Sequence, residues 1–208
     1  MCDKKEAQVF WDWFAANHFK FLFVHEVEEN IKNKMLDELL EKLHQFNHCL
    51  FFEIGSCRTG ELMELVITAE GDVEHFPAVE TLIDAAPKLK DWRFIKFKQP
   101  NCQSFTINFR GKDFNPEEVI FMPLSSEEDD DSVAIQVCYA DYRAYEREIY
   151  LNGTYIMLDA LLGEKSTALD IDYLEVMSIP SNISEYYYLD LIELPSYIKE
   201  KKYNALNN

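Results

Sequence analysis

The chain has 208 residues, 48% of them hydrophobic and 14% aromatic, so it can bury a substantial core without disulfide bonds. Its 38 acidic and 20 basic residues give a formal net charge of −18, which disfavours nucleic acid and anionic membrane surfaces as partners. The sequence has neither a run of about eighteen apolar residues nor the apolar core of a signal peptide, so we predict a cytoplasmic protein without a membrane span.

Apolar periodicity predicts two N-terminal helices. The first covers residues 6–17, and Trp11 lies off its apolar stripe, where it could cover a neighbouring element or a partner. Phenylalanines at every second position over 19–23 predict a short extended connection. Residues 26–46 then repeat apolar side chains at every fourth position and form the clearest helix of the sequence.

The most regularly patterned stretch, residues 61–100, is typical of strand, turn, helix and strand. Alternation from residue 61 to 68 predicts a strand, which pairs as a hairpin with a strand at 49–54. In a symmetric register, the face that carries Leu50, Phe52 and Ile54 also carries Met63, Leu65 and Ile67. A helix at 77–86, with Pro77 in its first turn, and a strand at 92–98 follow.

The second half of the chain shows a similar order. We predict strands at 105–110, 119–124 and 133–139, then a helix at 142–162 and a strand at 171–179. The acidic run at 125–132 is expected to be a solvated hairpin tip. Asn152-Gly153 lies inside the predicted helix, where it indicates a break or the close approach of another backbone.

Strand, strand, helix and strand therefore occur twice, and the sequence predicts an α+β fold. We expect a mostly antiparallel sheet with helices packed on one face, and two β-β-α-β pseudo-repeats preceded by two N-terminal helices. The expected organisation is one domain, 1–208, with pseudo-repeat halves at 47–100 and 101–180 and a C-terminal tail at 181–208.

The carboxylates Glu53 and Glu64 are the candidate catalytic residues. The hairpin register places both on one sheet face among apolar neighbours, where a carboxyl group can acquire a raised pKa and act as an acid or base. The alternative is an exposed sheet surface on which basic side chains neutralise them. Arg58, in the hairpin loop, is a candidate anion contact or a partner for nearby acids, and Trp11 and Trp92 are further candidate binding residues.

Metal and cofactor motifs are weak or missing in the sequence. His44 and His48 are four residues apart, a spacing that suits one metal ion, but a helix end that accommodates a polar or cationic ring is the favoured explanation. The run from Glu127 to Asp131 lacks the glycine and the ligand spacing of a calcium loop. Five cysteines without a CxxC pair form neither a disulfide framework nor a zinc site. We expect no metal and no cofactor.

Four segments together resemble a group of uncharacterised bacterial proteins: FWDWF at 10–14, ELMELVITAEG at 61–71, FPAVETLIDAAPKLKDWRFIKFKQP at 76–100 and LDALLGE at 158–164. The resemblance covers most of the chain. It implies a bacterial cytosolic domain and assigns no catalytic residue.

The sequence favours a non-enzymatic, immunity-like or regulatory protein whose acidic surface binds a basic protein partner. The alternative is a small hydrolase or ligand-binding domain that uses the carboxylates of the 49–68 hairpin face. A third hypothesis is an oligomer surface formed by Trp11 and the C-terminal tyrosines.

Overall fold

The protein is described from a computed structural model, in which two compact units divide the chain at Met1–Lys98 and Gln99–Asn208. Both units combine helices with sheet, the strand pairs of the chain are mostly antiparallel, and two helices open the chain, which confirms the predicted α+β class. The prediction of a single domain, 1–208, stays a prediction. The structure describes residues 4–56, 62–101, 103–124 and 133–205.

The first unit is a three-stranded sheet with helices on one face. The order of its strands is β1-β2-β3, with β1 antiparallel and β3 parallel to β2, so that α3 forms the crossover between the parallel pair. Its elements are α1 (Lys4–Phe21), α2 (Glu29–Phe46), β1 (Phe51–Ser56), β2 (Met63–Thr68), α3 (Phe76–Asp84) and β3 (Trp92–Lys96).

The register of the first hairpin is as predicted. Phe52 lies opposite Ile67 and Ile54 opposite Leu65, so the apolar side chains of β1 and β2 share a face. The helix α1 packs on this face, because the ring of Phe14 contacts Trp92 at 5.0 Å between centroids.

The predicted extended connection at 19–23 is wrong over its first half. The helix α1 continues to Phe21, whose ring is fully buried and stacks on Phe14 at 5.9 Å. Packing of this ring against the core therefore extends the helix beyond the point where the apolar stripe ends in the sequence.

The second unit contains a four-stranded sheet of order β8-β7-β6-β9 and a separate β4–β5 hairpin. In the larger sheet, β6 is antiparallel to β7 and β9, and β8 is parallel to β7. The elements are β4 (Ile107–Phe109), β5 (Lys112–Phe114), β6 (Ile120–Leu124), β7 (Val133–Tyr139), α4 (Arg147–Leu162), α5 (Glu164–Asp170), β8 (Ile171–Ser178), β9 (Leu189–Asp190) and α6 (Leu194–Ala205).

The two units contain the same β-β-α-β order, as predicted, and their registers also agree. In the central strand of the first unit, Leu65 lies between Ile54 and Phe94. In the second unit, Val137 lies between Phe121 and Val176. On the opposite faces the polar cross-strand pairs correspond too: Glu64 with Arg93, and Gln136 with Glu175.

The glycine inside α4 allows the β4–β5 hairpin to pack closely on this helix. A Cβ atom at Gly153 would lie 2.2 Å from Cζ of Phe114, a ring that is itself fully buried. The expected close approach is therefore confirmed, although the approaching group is an aromatic side chain and not a backbone.

Candidate functional site: the edge of the second sheet

Glu53 and Glu64 lie on one face of the first sheet, as predicted, but they do not form a catalytic pair. Glu53 is exposed and lies opposite Val66, whereas Glu64 lies opposite Gly55 and forms an ion pair with Arg93. Because the Arg93 guanidinium already satisfies the Glu64 carboxylate, the apolar isolation that an acid–base carboxyl needs is missing here. The hydrolase alternative gains no support from this geometry.

Both candidate tryptophans belong to the core of the first unit. Trp11 is fully buried, and its Nε1 donates a hydrogen bond of 2.6 Å to the carbonyl of Leu82. Trp92 is 5% exposed, and its Nε1 donates to Nδ1 of His18 at 3.2 Å. Neither indole is therefore available to a partner at the surface. Arg58 lies outside the described residues.

His44 lies on α2 and has a structural role, whereas His48 follows the end of this helix. Nε2 of His44 lies 3.1 Å from the carbonyl oxygen of Leu50, and the edge of its ring packs on Phe51. His48 is exposed. Within the part of the chain that the structure describes, no three His, Cys, Asp or Glu side chains are placed to hold a metal ion. The acidic run from Glu127 to Asp131 lies outside that part.

A lysine enclosed by aromatic rings joins the β4–β5 hairpin to α4. Nζ of Lys112 lies 2.5 Å from Oδ2 of Asp141 and 4.5 Å from the centroid of the Tyr150 ring. The Tyr139 and Thr154 hydroxyls share a hydrogen bond of 2.6 Å.

The titration of this cluster follows from its geometry. Hydrogen bonding to Lys112 lowers the pKa of Asp141, whereas burial raises the pKa values of Tyr139 and Tyr150. The ammonium has both a counter-ion and aromatic faces, so the cluster fixes the fold of the second unit and exposes no reactive group.

Charge and tyrosine content distinguish the two units. The second unit contains 20 acidic and 8 basic residues, against 18 and 12 in the first. All eleven tyrosines lie in the second unit and all three tryptophans in the first. Tyrosine is enriched at protein interfaces because it joins a large apolar ring to a polar tip. The exposed tyrosines are Tyr145, Tyr155, Tyr173, Tyr186, Tyr187, Tyr188 and Tyr203.

The strand β8 forms one edge of the second sheet. Beyond its end, the N–H of Ile179 donates to the carbonyl of Tyr139 on β7, at 3.2 Å. Because backbone groups alternate in direction along a strand, the N–H and C=O groups of Leu174, Val176 and Ser178 point away from β7. No backbone hydrogen bond from another described element reaches this outer edge.

Acidic and aromatic side chains flank this edge. Asp172 is exposed and has no hydrogen bond or ion pair with any described residue, and Tyr173 is 50% exposed. Glu175 is half-buried and accepts a hydrogen bond of 2.7 Å from Nε2 of Gln136. The strand thus presents outward backbone groups without a hydrogen-bond partner among the described residues, exposed at Ser178 but buried at Leu174 and Val176, together with one free carboxylate and one tyrosine ring.

The sequence predicted β8 as a strand at 171–179 but did not identify Asp172 and Tyr173 as candidate binding residues. Edge position depends on the parallel crossover through α4, which places β8 outside β7. The repeated β-β-α-β order was the feature of the sequence that could have predicted this edge position, because the last strand of such a unit lies beside the second strand.

The chain matches no protein-family model, no curated protein and no solved structure. No helix among the described residues is both long and apolar enough to cross a membrane. Function must therefore be inferred from the charge, exposure and backbone geometry of this chain.

Proposed function

We propose that this chain is a non-catalytic binding protein that recognises a basic, extended segment of a partner protein along the outer edge of β8. The observation that carries the proposal is the free backbone of this edge strand, flanked by Asp172 and Tyr173. An extended segment can add to such an edge as a further strand through main-chain hydrogen bonds.

The length of the edge suits a short segment. A register shift lies between Val133 and Ala134 on β7, where Ile171 and Tyr173 are their partners on β8. From Tyr173 to Ser178 the ladder is regular, a span of roughly 20 Å at the usual rise per residue. The shift restricts pairing to this part, because an extra residue bends and twists a strand.

The charge of this edge favours a basic partner segment over an acidic one. A lysine or arginine of the added strand can pair with Asp172 and lie over the ring of Tyr173. Two copies of this edge would instead bring like carboxylates together, which disfavours self-association. The excess of acidic residues in the second unit would also raise the association rate with a basic protein. An immunity-like or regulatory role in a bacterial cytoplasm would use such binding.

The test is titration of the full chain with a synthetic peptide of about ten alternating lysine and valine residues, at low and high salt. We expect binding that weakens as salt is added. Ser178→Pro removes an outward N–H at an exposed residue without changing the core, so we expect about tenfold weaker binding. Asp172→Asn should weaken binding less and reduce its salt dependence.

The matched control is Glu200→Gln, which removes one exposed carboxylate charge from α6, as Asp172→Asn does from β8. It should leave binding unchanged. Near-UV circular dichroism would verify that each variant is folded. Salt-independent binding by the wild type, no binding at all, or unchanged binding by a folded Ser178→Pro variant would each contradict the proposal.

A further inference from the structure

A cavity of about 160 Å³ lies between α1 and α2, in the first unit. Its apolar lining consists of Phe10 and Phe46, which are nearly buried, Trp13, which is half-buried, and Val9, which is 66% exposed at the mouth; Glu6, Lys42 and Gln45 complete the lining. The rings of Phe10 and Trp13 lie 6.3 Å apart between centroids and are tilted to each other. A cavity of about 150 Å³ accommodates one benzene ring, so this space suits a single aromatic ring.

The rim of the cavity carries a cation without a counter-ion. Lys42 is half-buried and makes no hydrogen bond or ion pair with any residue that the structure describes. A partly desolvated ammonium without a partner favours an incoming anion. Lys20, whose Nζ lies 5.3 Å from the centroid of Trp13, is already paired with Glu38. Glu6 also lines the cavity and already interacts with another group of the protein.

We infer that this cavity binds a small aromatic monocarboxylate. The ring packs between Phe10, Trp13 and Phe46, and the carboxylate accepts a charge-assisted hydrogen bond from Nζ of Lys42. This site is independent of the strand edge, since all of its residues lie on the two N-terminal helices.

The experiment titrates the full chain with sodium benzoate, followed by ligand-observed NMR and by tryptophan fluorescence. Trp13 should dominate the fluorescence change because Trp11 and Trp92 are buried away from solvent. We expect saturable binding of benzoate and weaker binding of the neutral isostere benzamide and of the cation benzylamine. Lys42→Gln should weaken benzoate binding about fivefold, the effect of one partly exposed ion pair.

Two further variants make the test specific. Lys34→Gln removes an exposed lysine of α2 outside the cavity and should leave the affinity unchanged. Val9→Glu places a negative charge at the mouth and should weaken benzoate binding by about two- to fivefold, the effect of one exposed charge. The inference is overturned if folded wild-type protein does not bind benzoate, if benzylamine binds as tightly, or if Lys42→Gln and Lys34→Gln behave alike.

Discussion

At the scale of single residues, Gly153 has little freedom to change. A Cβ atom at this position would overlap three atoms of the Phe114 ring, the nearest at 2.2 Å. Gly153→Ala should therefore destabilise the second unit by about 1–3 kcal/mol through overpacking. This loss opposes the gain of about 1 kcal/mol that alanine normally brings to a helix interior.

Gly55→Ala is the matched control, because a Cβ atom at Gly55 meets nothing within 4 Å. Its effect on stability should stay within about 0.5–1 kcal/mol. Urea denaturation followed by the tyrosine ring signals in NMR monitors the second unit, where every tyrosine lies, and tryptophan fluorescence monitors Gly55→Ala in the first unit, where every tryptophan lies. Equal midpoints for Gly153→Ala and the wild type would show that the hairpin does not pack on α4 as described.

Cys138 gives a second prediction at this scale. Burial, with a smaller effect of the nearby Glu175 carboxylate, raises the pKa of the Cys138 thiol to about 11. We expect iodoacetamide near pH 8 to leave Cys138 unmodified in the folded chain and to react faster with the half-buried Cys49, as mapped by mass spectrometry. Equal rates for the two thiols would contradict the burial of Cys138.

The same shift predicts how the contribution of Cys138 to stability changes with pH. Folding favours the protonated thiol, so this contribution is complete below the ordinary thiol pKa and is lost as pH rises from about 9 towards about 11. A Cys138→Ala variant should therefore lose less stability than the wild type between these pH values. The measurement is urea denaturation at several alkaline pH values. Equal losses of stability in the variant and the wild type would contradict the predicted effect of the Cys138 thiol.

At the scale of elements, an ion pair holds the C-terminal helix α6 to α5. Nζ of Lys202 lies 2.6 Å from Oδ1 of Asp170, whose other oxygen accepts a hydrogen bond from Ser166. The Asp170 side chain is only 10% exposed, so Lys202→Met should leave it poorly compensated and destabilise α6 by about 1–2 kcal/mol.

Hydrogen exchange of the α6 amides measures this effect directly, and we expect faster exchange in the Lys202→Met variant. Lys199→Met, at an exposed position of the same helix, controls for the loss of a positive charge. Equal exchange in the two variants would show that the ion pair does not anchor the helix.

The longer elements could be predicted because their apolar periodicity extends over several residues. The bounds of β7, Val133–Tyr139, match the predicted strand, and the register of the first hairpin follows from its alternation. The β5 and β9 strands, of three and two residues, are too short for any period to appear. Gly111, next to Arg110 at positive φ, marks the β4–β5 turn and was the feature of the sequence from which this hairpin could have been predicted.

The burial of Trp11 has a physical cause in packing. Trp11 lies off the apolar stripe of α1, yet it is fully buried because α1 contacts both the sheet, through Phe94, and α3, through Leu82. Gly163, at φ 82°, ends α4, and α5 begins directly after it. The candidate edge was missed for a related reason, since strand order is a property of the assembled sheet.

At the scale of the whole molecule, the two units differ in aromatic type and in charge, and the second has its own apolar core. The buried cluster of that unit runs from Phe114 to Ile198 and includes the inward faces of β6, β7 and β8. A unit with a core of its own can fold as a separate chain. We therefore expect a fragment of residues 99–208 to fold cooperatively and to show dispersed NMR signals.

The same fragment separates the two binding proposals. The β8 edge lies wholly within 99–208, so this fragment should retain the salt-sensitive binding of the lysine–valine peptide. It should not bind benzoate, because the α1–α2 cavity belongs to residues 1–98. Peptide titration and ligand-observed NMR on the purified fragment measure both properties. A folded fragment that fails to bind a peptide bound by the full chain would mean that the basic partner does not add to β8, whereas benzoate binding by the fragment would place that ligand outside the helical cavity.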